Sequence, residues 1–166
     1  MKIDIARQPL VPAFMTLFAL AVAAMCAGIP VSDTSGAVRD ALPLLGGQLA
    51  RFQAAYPVWS KFAAGFMLLF TGMCAGRSTI RYNLYTVGTC LPIPLYAIVA
   101  CGIATGGNYL AGFAASMLLA LATKNYCRAF CNGYGFDAIF RASLYLGLMP
   151  LVYAPGLPML LLLPLA

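Results

Sequence analysis

The chain has no glutamate and no histidine, and its only acids are Asp4, Asp33, Asp40 and Asp137. Paired carboxylates for acid–base work, histidine-based triads and the usual zinc ligand sets are therefore largely excluded. None of the four acids falls deep in an apolar run, where an ionisable group would mark a proton relay or ion path, so a proton pump of the usual design is not expected. Charge of either sign is scarce, at 8% of 166 residues, which leaves too little polar surface to hold a fold in water.

Apolar residues take that place. They make up 63% of the chain, and the mean hydropathy of +0.89 makes lipid the expected main solvent. Ten Lys and Arg against the four acids give a net charge of +6. These cations stand at the ends of apolar segments, where the positive-inside bias and anionic head groups account for them; no nucleic-acid partner is expected. Of the six cysteines, Cys26, Cys74, Cys90 and Cys101 lie within apolar runs and read as packing residues. Cys127 and Cys131 share a helix face, but without histidine or a second pair they read as reduced thiols. No disulfide framework, metal or cofactor is expected.

The apolar runs set the topology. Lys2 and Arg7 precede an uncharged stretch from Pro9 to Pro30, long enough to cross a bilayer; because more membrane follows, this is a first span rather than a cleaved signal. Residues 31–57 are more polar, yet Val38, Leu42, Leu45, Leu49 and Phe52 alternate at spacings of four and three, which puts them on one helical face. This predicts an external amphipathic helix near 41–55, capped by Asp40, with Pro43 in its first turn, lying in the interface or against the spans. Tyr56, Trp59 and Lys61 open a second span over 58–76, in which Gly72 and Gly76 form a GxxxG spacing that permits close helix approach and also arises by chance in a chain rich in Gly and Ala.

A short loop with Arg77 and Arg81 leads to a third span near 84–104, expected to kink at Pro92 and Pro94. A fourth follows at 108–123. Residues 124–137 then form a loop ending at Asp137, which caps a fifth helix over 138–154 and faces Arg141 one turn later. The last run, MLLLLPLA, is about 12 Å of helix against a hydrocarbon core of roughly 30 Å. It is an incomplete sixth segment, and further spans downstream or a partner subunit are expected to complete it. Placing the N-terminus in the cytoplasm puts Lys2, Arg7, Arg77, Arg81, Lys124, Arg128 and Arg141 on that side, with only Arg39, Arg51 and Lys61 outside. The 124–137 loop is then cytoplasmic. The expected fold is an all-α polytopic transmembrane bundle of about five spans with one external interfacial helix, forming a single integral-membrane domain over residues 1–166.

Lys124, Arg128 and Arg141 are candidates for contacting a phosphate-bearing lipid or substrate, although all three also serve as positive-inside anchors and Arg141 can snorkel or pair with Asp137. Asp33 is the one catalytic candidate. An acid just beyond a first span and ahead of an interfacial helix also occurs in membrane glycosyltransferases that use polyprenyl-linked sugars, but a turn-forming or capping Asp33 is the plainer reading.

At Arg81-Tyr82-Asn83, and at Phe136-Asp137-Ala138 leading into Ser143, Gly147 and Pro155, the chain resembles a family of bacterial multi-pass inner-membrane proteins with no established activity. The resemblance covers about residues 55 to 166. It implies the inner (plasma) membrane and a multi-pass topology, adds no catalytic residue, and implies that this chain corresponds to the N-terminal part of longer members. The expected role is a non-catalytic component of cell-envelope biogenesis. Its partners would be the lipid bilayer and either a lipid-linked substrate or other envelope proteins. The rivals are a transporter subunit, which needs a polar cavity around the third span, and a polyprenyl-phosphate-dependent glycosyltransferase, which needs Asp33 on a lipid-accessible groove with Arg39 or Arg51.

Overall fold

Pro57 is well placed to start a helix, since the first helical position needs no amide donor, and it opens the longest element of the protein. In the computed structural model, which describes residues 10–26, 43–82, 90, 92–104, 108–132 and 135–165, that element is α3 (Pro57–Arg81). Around it stand α1 (Leu10–Cys26), α2 (Leu44–Ala55), α4 (Pro92–Ala104), α5 (Tyr109–Asn132) and α6 (Gly135–Val152), followed by a 3-10 helix, Ala154–Leu165. No strand occurs among the described residues.

The protein is all-α, as expected, but its helices differ in length from the expected spans. Only α3 and α6 are long and apolar enough to cross a membrane among the described residues, so five crossings are not established. The 13 described residues of α4 span about 20 Å of a roughly 30 Å core. Its prolines do not kink a longer helix: Pro92 is its first residue and Pro94 lies in its first turn, where a missing donor costs no intrahelical bond. Helix α3 runs five residues past the expected end at Gly76. Arg77 to Arg81 contain no helix breaker, and the hydroxyls there bond back to the turn before them, Ser78 Oγ to the Cys74 carbonyl at 2.6 Å and Thr79 Oγ1 to the Gly76 carbonyl at 2.7 Å.

Likewise α5 does not stop at Thr123. It continues to Asn132, so the first nine residues of the expected 124–137 loop are helix. Asp137 is not the cap of α6 but its third residue, where a carboxylate favours the positive end of the helix dipole. Pro150 lies inside α6 near its end, and after Tyr153 the chain continues as a 3-10 helix whose Gly156 packs against Met149.

Close approach between helices depends on glycine at three points. A Cβ on Gly72 would lie 2.7 Å from a methyl of Leu17 in α1, and one on Gly76 would collide with Ile93 in α4. The GxxxG spacing is thus a packing seat for two neighbours. Leu17 and Ile93 are fully buried over it, in a core shared with Leu68, Phe113 and several alanines. Ile93 meets Gly76, and Tyr96, one turn later, faces Thr71 and Ser116, so α4 runs antiparallel to α3. Helix α5 runs parallel to α3: the Ser60 and Tyr109 hydroxyls are 2.5 Å apart near their starts, while Lys124 shares a groove with Ser78 and Thr79 further along.

The amphipathic helix exists where expected, as α2, but it docks by another face. Leu45 and Phe52 point outward, and the buried residues are Gly46 and Gln53, with Leu49 half-buried between them. Without a side chain, Gly46 brings the α2 backbone onto the Val152 carbonyl of α6. Gln53 Oε1 then accepts the Leu110 amide at 3.4 Å. Pro43 sits just ahead of the helix in an extended conformation rather than in its first turn, its carbonyl accepting the Gly47 amide at 2.7 Å; Asp40, the expected cap, lies outside the described residues. Since α2 meets the start of α5 and the end of α6, it closes one end of the bundle.

Burial along α3 is the inverse of a surface helix in water. Ser60, Thr71 and Ser78 face inward with Gly65, Gly72 and Gly76, while Trp59, Phe62, Phe66 and Phe70 face out, Phe66 at 68% exposure. The outer rings pack on one another, Phe66 on Phe70 at a centroid distance of 6.3 Å. Exposed Val11, Met15 and Phe18 on α1, Ile98 and Val99 on α4, and Phe140 and Leu144 on α6 continue the apolar exterior.

Candidate functional site

Between α3, α4 and α5 lies a half-open groove of about 270 Å³. Helix α3 supplies Thr71, Ala75, Ser78 and Thr79, at spacings of four and three that keep them on one face. Helix α5 supplies Ser116, Leu119, Ala120, Thr123 and Lys124, and Tyr96 of α4 lies between the two. Small residues on the facing helices leave the space open.

Five of these side chains carry hydroxyls of Ser or Thr, and each is engaged within its own helix. Besides Ser78 and Thr79, Thr71 donates to the Met67 carbonyl at 2.7 Å, Ser116 to the Phe113 carbonyl at 2.8 Å, and Thr123 to the Leu119 carbonyl at 2.9 Å. Tyr96 and Ser116 oxygens are 3.3 Å apart, and because the Ser116 proton is already committed, Tyr96 is the donor. A hydroxyl has one proton, so these groups offer a ligand lone pairs only. The donor left in the wall is the half-buried Lys124 ammonium, with three N–H bonds.

The expected site residues are thus divided. Lys124 lines the groove. Arg128 is exposed one turn further along α5, and Arg141 is exposed on α6, its Nε 3.1 Å from Asp137 Oδ1. Asp137 is the only carboxylate side chain among the described residues, which leaves Lys124 and Arg128, with Arg77 and Arg81 at the end of α3, without a carboxylate partner among them. Asp33 lies outside the described residues, as do the Arg39 contacts the glycosyltransferase reading would need. Cys90 is buried in the core, and Cys74 and Cys127 are half-buried.

Sequence reasoning missed Tyr96 and the row of hydroxyls. The signal was present in the spacing of Thr71, Ala75, Ser78 and Thr79 and of Ser116, Ala120 and Thr123, but nothing in it says that these two faces meet.

The Asp137–Arg141 pair has both side chains more than half exposed, so it is expected to contribute little. Asp137→Asn should change the unfolding free energy by no more than about 0.5 kcal/mol, and less at high salt. Loss of a full kcal/mol on that substitution would mean that Asp137 has a partner beyond Arg141.

The fold and groove define an all-α helical bundle with a small, half-open groove whose one charged wall residue is cationic. No known protein family matches the chain, and no curated protein or solved structure is significantly similar to it.

Proposed function

We propose that the chain is a polytopic protein of the inner (plasma) membrane with its N-terminus in the cytoplasm, and that it works without catalysis, holding one chain of a lipid in the groove as a component of cell-envelope biogenesis. The observation that carries this reading is the make-up of the groove: its Ser and Thr hydroxyls donate to backbone carbonyls, so it presents mainly methyl and methylene surface with a single cationic residue. A volume of about 270 Å³ is just under the range of small-molecule pockets, enough for part of an acyl or isoprenyl chain.

The inverted burial of α3 supports a lipid surround, since packing between helices in a bilayer favours small and hydroxyl residues at the contacts and leaves large apolar side chains to the lipid. In this reading α1, α5 and the apolar run 84–104 that contains α4 join α3 and α6 as crossing segments. Arg77, Arg81, Lys124 and Arg128 belong to the cytoplasmic end and α2 to the external one. The transporter reading calls for a polar cavity around the third span, whereas the exposed wall of this groove is mostly apolar. The glycosyltransferase reading rests on Asp33 ahead of the amphipathic segment, and Asp33 and Arg39 lie outside the described residues.

Two measurements test the proposal. Reporter fusions should show external activity when inserted at 105–107 and cytoplasmic activity at 133–134; the opposite result overturns the orientation. Protein purified in mild detergent should carry about one tightly held lipid per chain, and Ala120→Phe, which fills the groove, should release it while the protein stays monodisperse. Retention of the same lipid by Ala120→Phe would overturn the groove as the binding site.

A further inference from the structure

Resting on the membrane reading above and not on the groove, we infer that the end of the bundle carrying Arg77, Arg81, Lys124 and Arg128 is a binding surface for anionic phospholipids, which it takes from the surrounding bilayer in preference to zwitterionic ones. The register of the helices brings these cations to one level. Ser60 and Tyr109 pair their hydroxyls near the starts of α3 and α5, and from there the four cations lie 15 to 21 residues along the two parallel helices, about 22–32 Å at 1.5 Å per residue. That distance matches a hydrocarbon core of roughly 30 Å, so they stand at one head-group level while Trp59 and Lys61 stand at the other. Val152 packs with Ala111 and Ala114 near the start of α5, so α6 runs antiparallel to α5 and its first turns, with Asp137 and Arg141, return to the cationic level.

The charge at this end is uncompensated. Asp137 is its one acid among the described residues and already holds Arg141, while Arg77, Arg81 and Arg128 are exposed. Large rings lie among these cations: Phe130, two residues beyond Arg128, is 73% exposed, Phe136 is 88% exposed, and Phe140, next to Arg141, is 60% exposed. An acidic protein or a nucleic acid would meet the cations but has no need of the rings. At a bilayer boundary the rings enter hydrocarbon and the guanidinium groups reach the phosphates. A zwitterionic head group brings its own ammonium to a level that already carries five cations and one acid, so a head group with net negative charge is favoured.

The test reads the lipids next to each end of the full chain in vesicles mixing phosphatidylcholine and phosphatidylglycerol, with one or the other brominated on its acyl chains to quench tryptophan. Trp59, the chain's single tryptophan, reports on the end with fewer described cations, Arg51 and Lys61. Phe130→Trp in a Trp59→Phe background reports on the cationic end. At position 130 phosphatidylglycerol is expected to be preferred about fivefold, the worth of one cation contact at an anionic surface, and less at high salt. A smaller preference is expected at Trp59. Arg77→Gln, Arg81→Gln and Arg128→Gln together should abolish most of the preference at position 130, whereas Arg51→Gln with Lys61→Gln should leave it unchanged.

Equal preference at the two ends, or an unaltered preference in the triple variant, would overturn this inference while leaving the membrane reading in place. Quenching of Trp59 with none at position 130 by either lipid would overturn it in favour of an end covered by protein. Absence of quenching at both positions would instead sink the membrane reading itself.

Discussion

Gly46→Ala should detach α2 from the bundle, whereas Gly47→Ala, one residue along the same helix, should stabilise it. A Cβ at position 46 collides with the backbone carbonyl of Val152, which cannot rotate away as a side-chain end would; at position 47 there is nothing within 4 Å. Both substitutions gain helix propensity, about 1 kcal/mol for Gly to Ala, but only the first incurs overpacking at about 1–3 kcal/mol or more. The propensity gain cancels between them, so the two variants should differ by the overpacking cost, about 1–3 kcal/mol, in equilibrium unfolding from mixed micelles. Gly46→Ala should also raise amide exchange at Leu110, whose N–H is held by Gln53 of the displaced helix. Equal stability of the two variants would mean that α2 does not rest on Val152.

The second large effect lies at the seat of Ile93 on Gly76. Ile93→Ala opens a cavity beneath a fully buried side chain, and Gly76→Ala pushes a methyl into the place the isoleucine occupies. In water an Ile to Ala change in a core costs about 2–5 kcal/mol. If the helices sit in lipid, part of that transfer term disappears, because hydrocarbon surrounds the side chain in either state, and the lost packing dominates; a value near 2 kcal/mol is expected. Gly76→Ala alone should cost about 1–2 kcal/mol. Together they should largely restore each other, with a coupling energy of about 1–3 kcal/mol, since the new methyl fills the space the isoleucine leaves. Additive losses in the double variant would place Ile93 away from Gly76 and overturn the α3–α4 packing described above.

Both predictions depend on features visible in the sequence whose partners were not. The GxxxG at Gly72 and Gly76 could be read directly, but its occupants, Leu17 and Ile93, come from separate helices more than a dozen residues away. The four-and-three pattern through Leu45, Leu49 and Phe52 located α2 to within a few residues. It misled about the docking face, because apolar content marks both a bundle-facing and an outward-facing side once the exterior is apolar too. Gly46 allows a closer approach than leucine does, and proximity decided the orientation.

Charge placement misled in a similar way about helix ends. Arg77, Arg81, Lys124 and Arg128 signal where an apolar run stops, and the expected spans were ended there. Backbone hydrogen bonding does not stop with hydropathy: without a proline or glycine to interrupt them, α3 reached Arg81 and α5 reached Asn132. Pro92, which does interrupt, began a helix rather than bending one.

What the sequence determined alone is what a single helix can encode: the all-α character, the position of α2, the Asp137–Arg141 spacing, and the inventory that leaves acid–base catalysis so few residues. Tertiary structure decided which faces meet. It brought Thr71, Ser78 and Thr79 opposite Ser116, Thr123 and Lys124, selected Lys124 from three candidate cations, and left Arg128 and Arg141 outside the groove. Periodicity along a chain fixes the direction of a side chain about its own axis, but the register between helices is set by how closely particular residues let two backbones approach. In this protein Gly46, Gly72 and Gly76 set that distance, and the groove is the space left where small residues face one another without a large side chain to fill it.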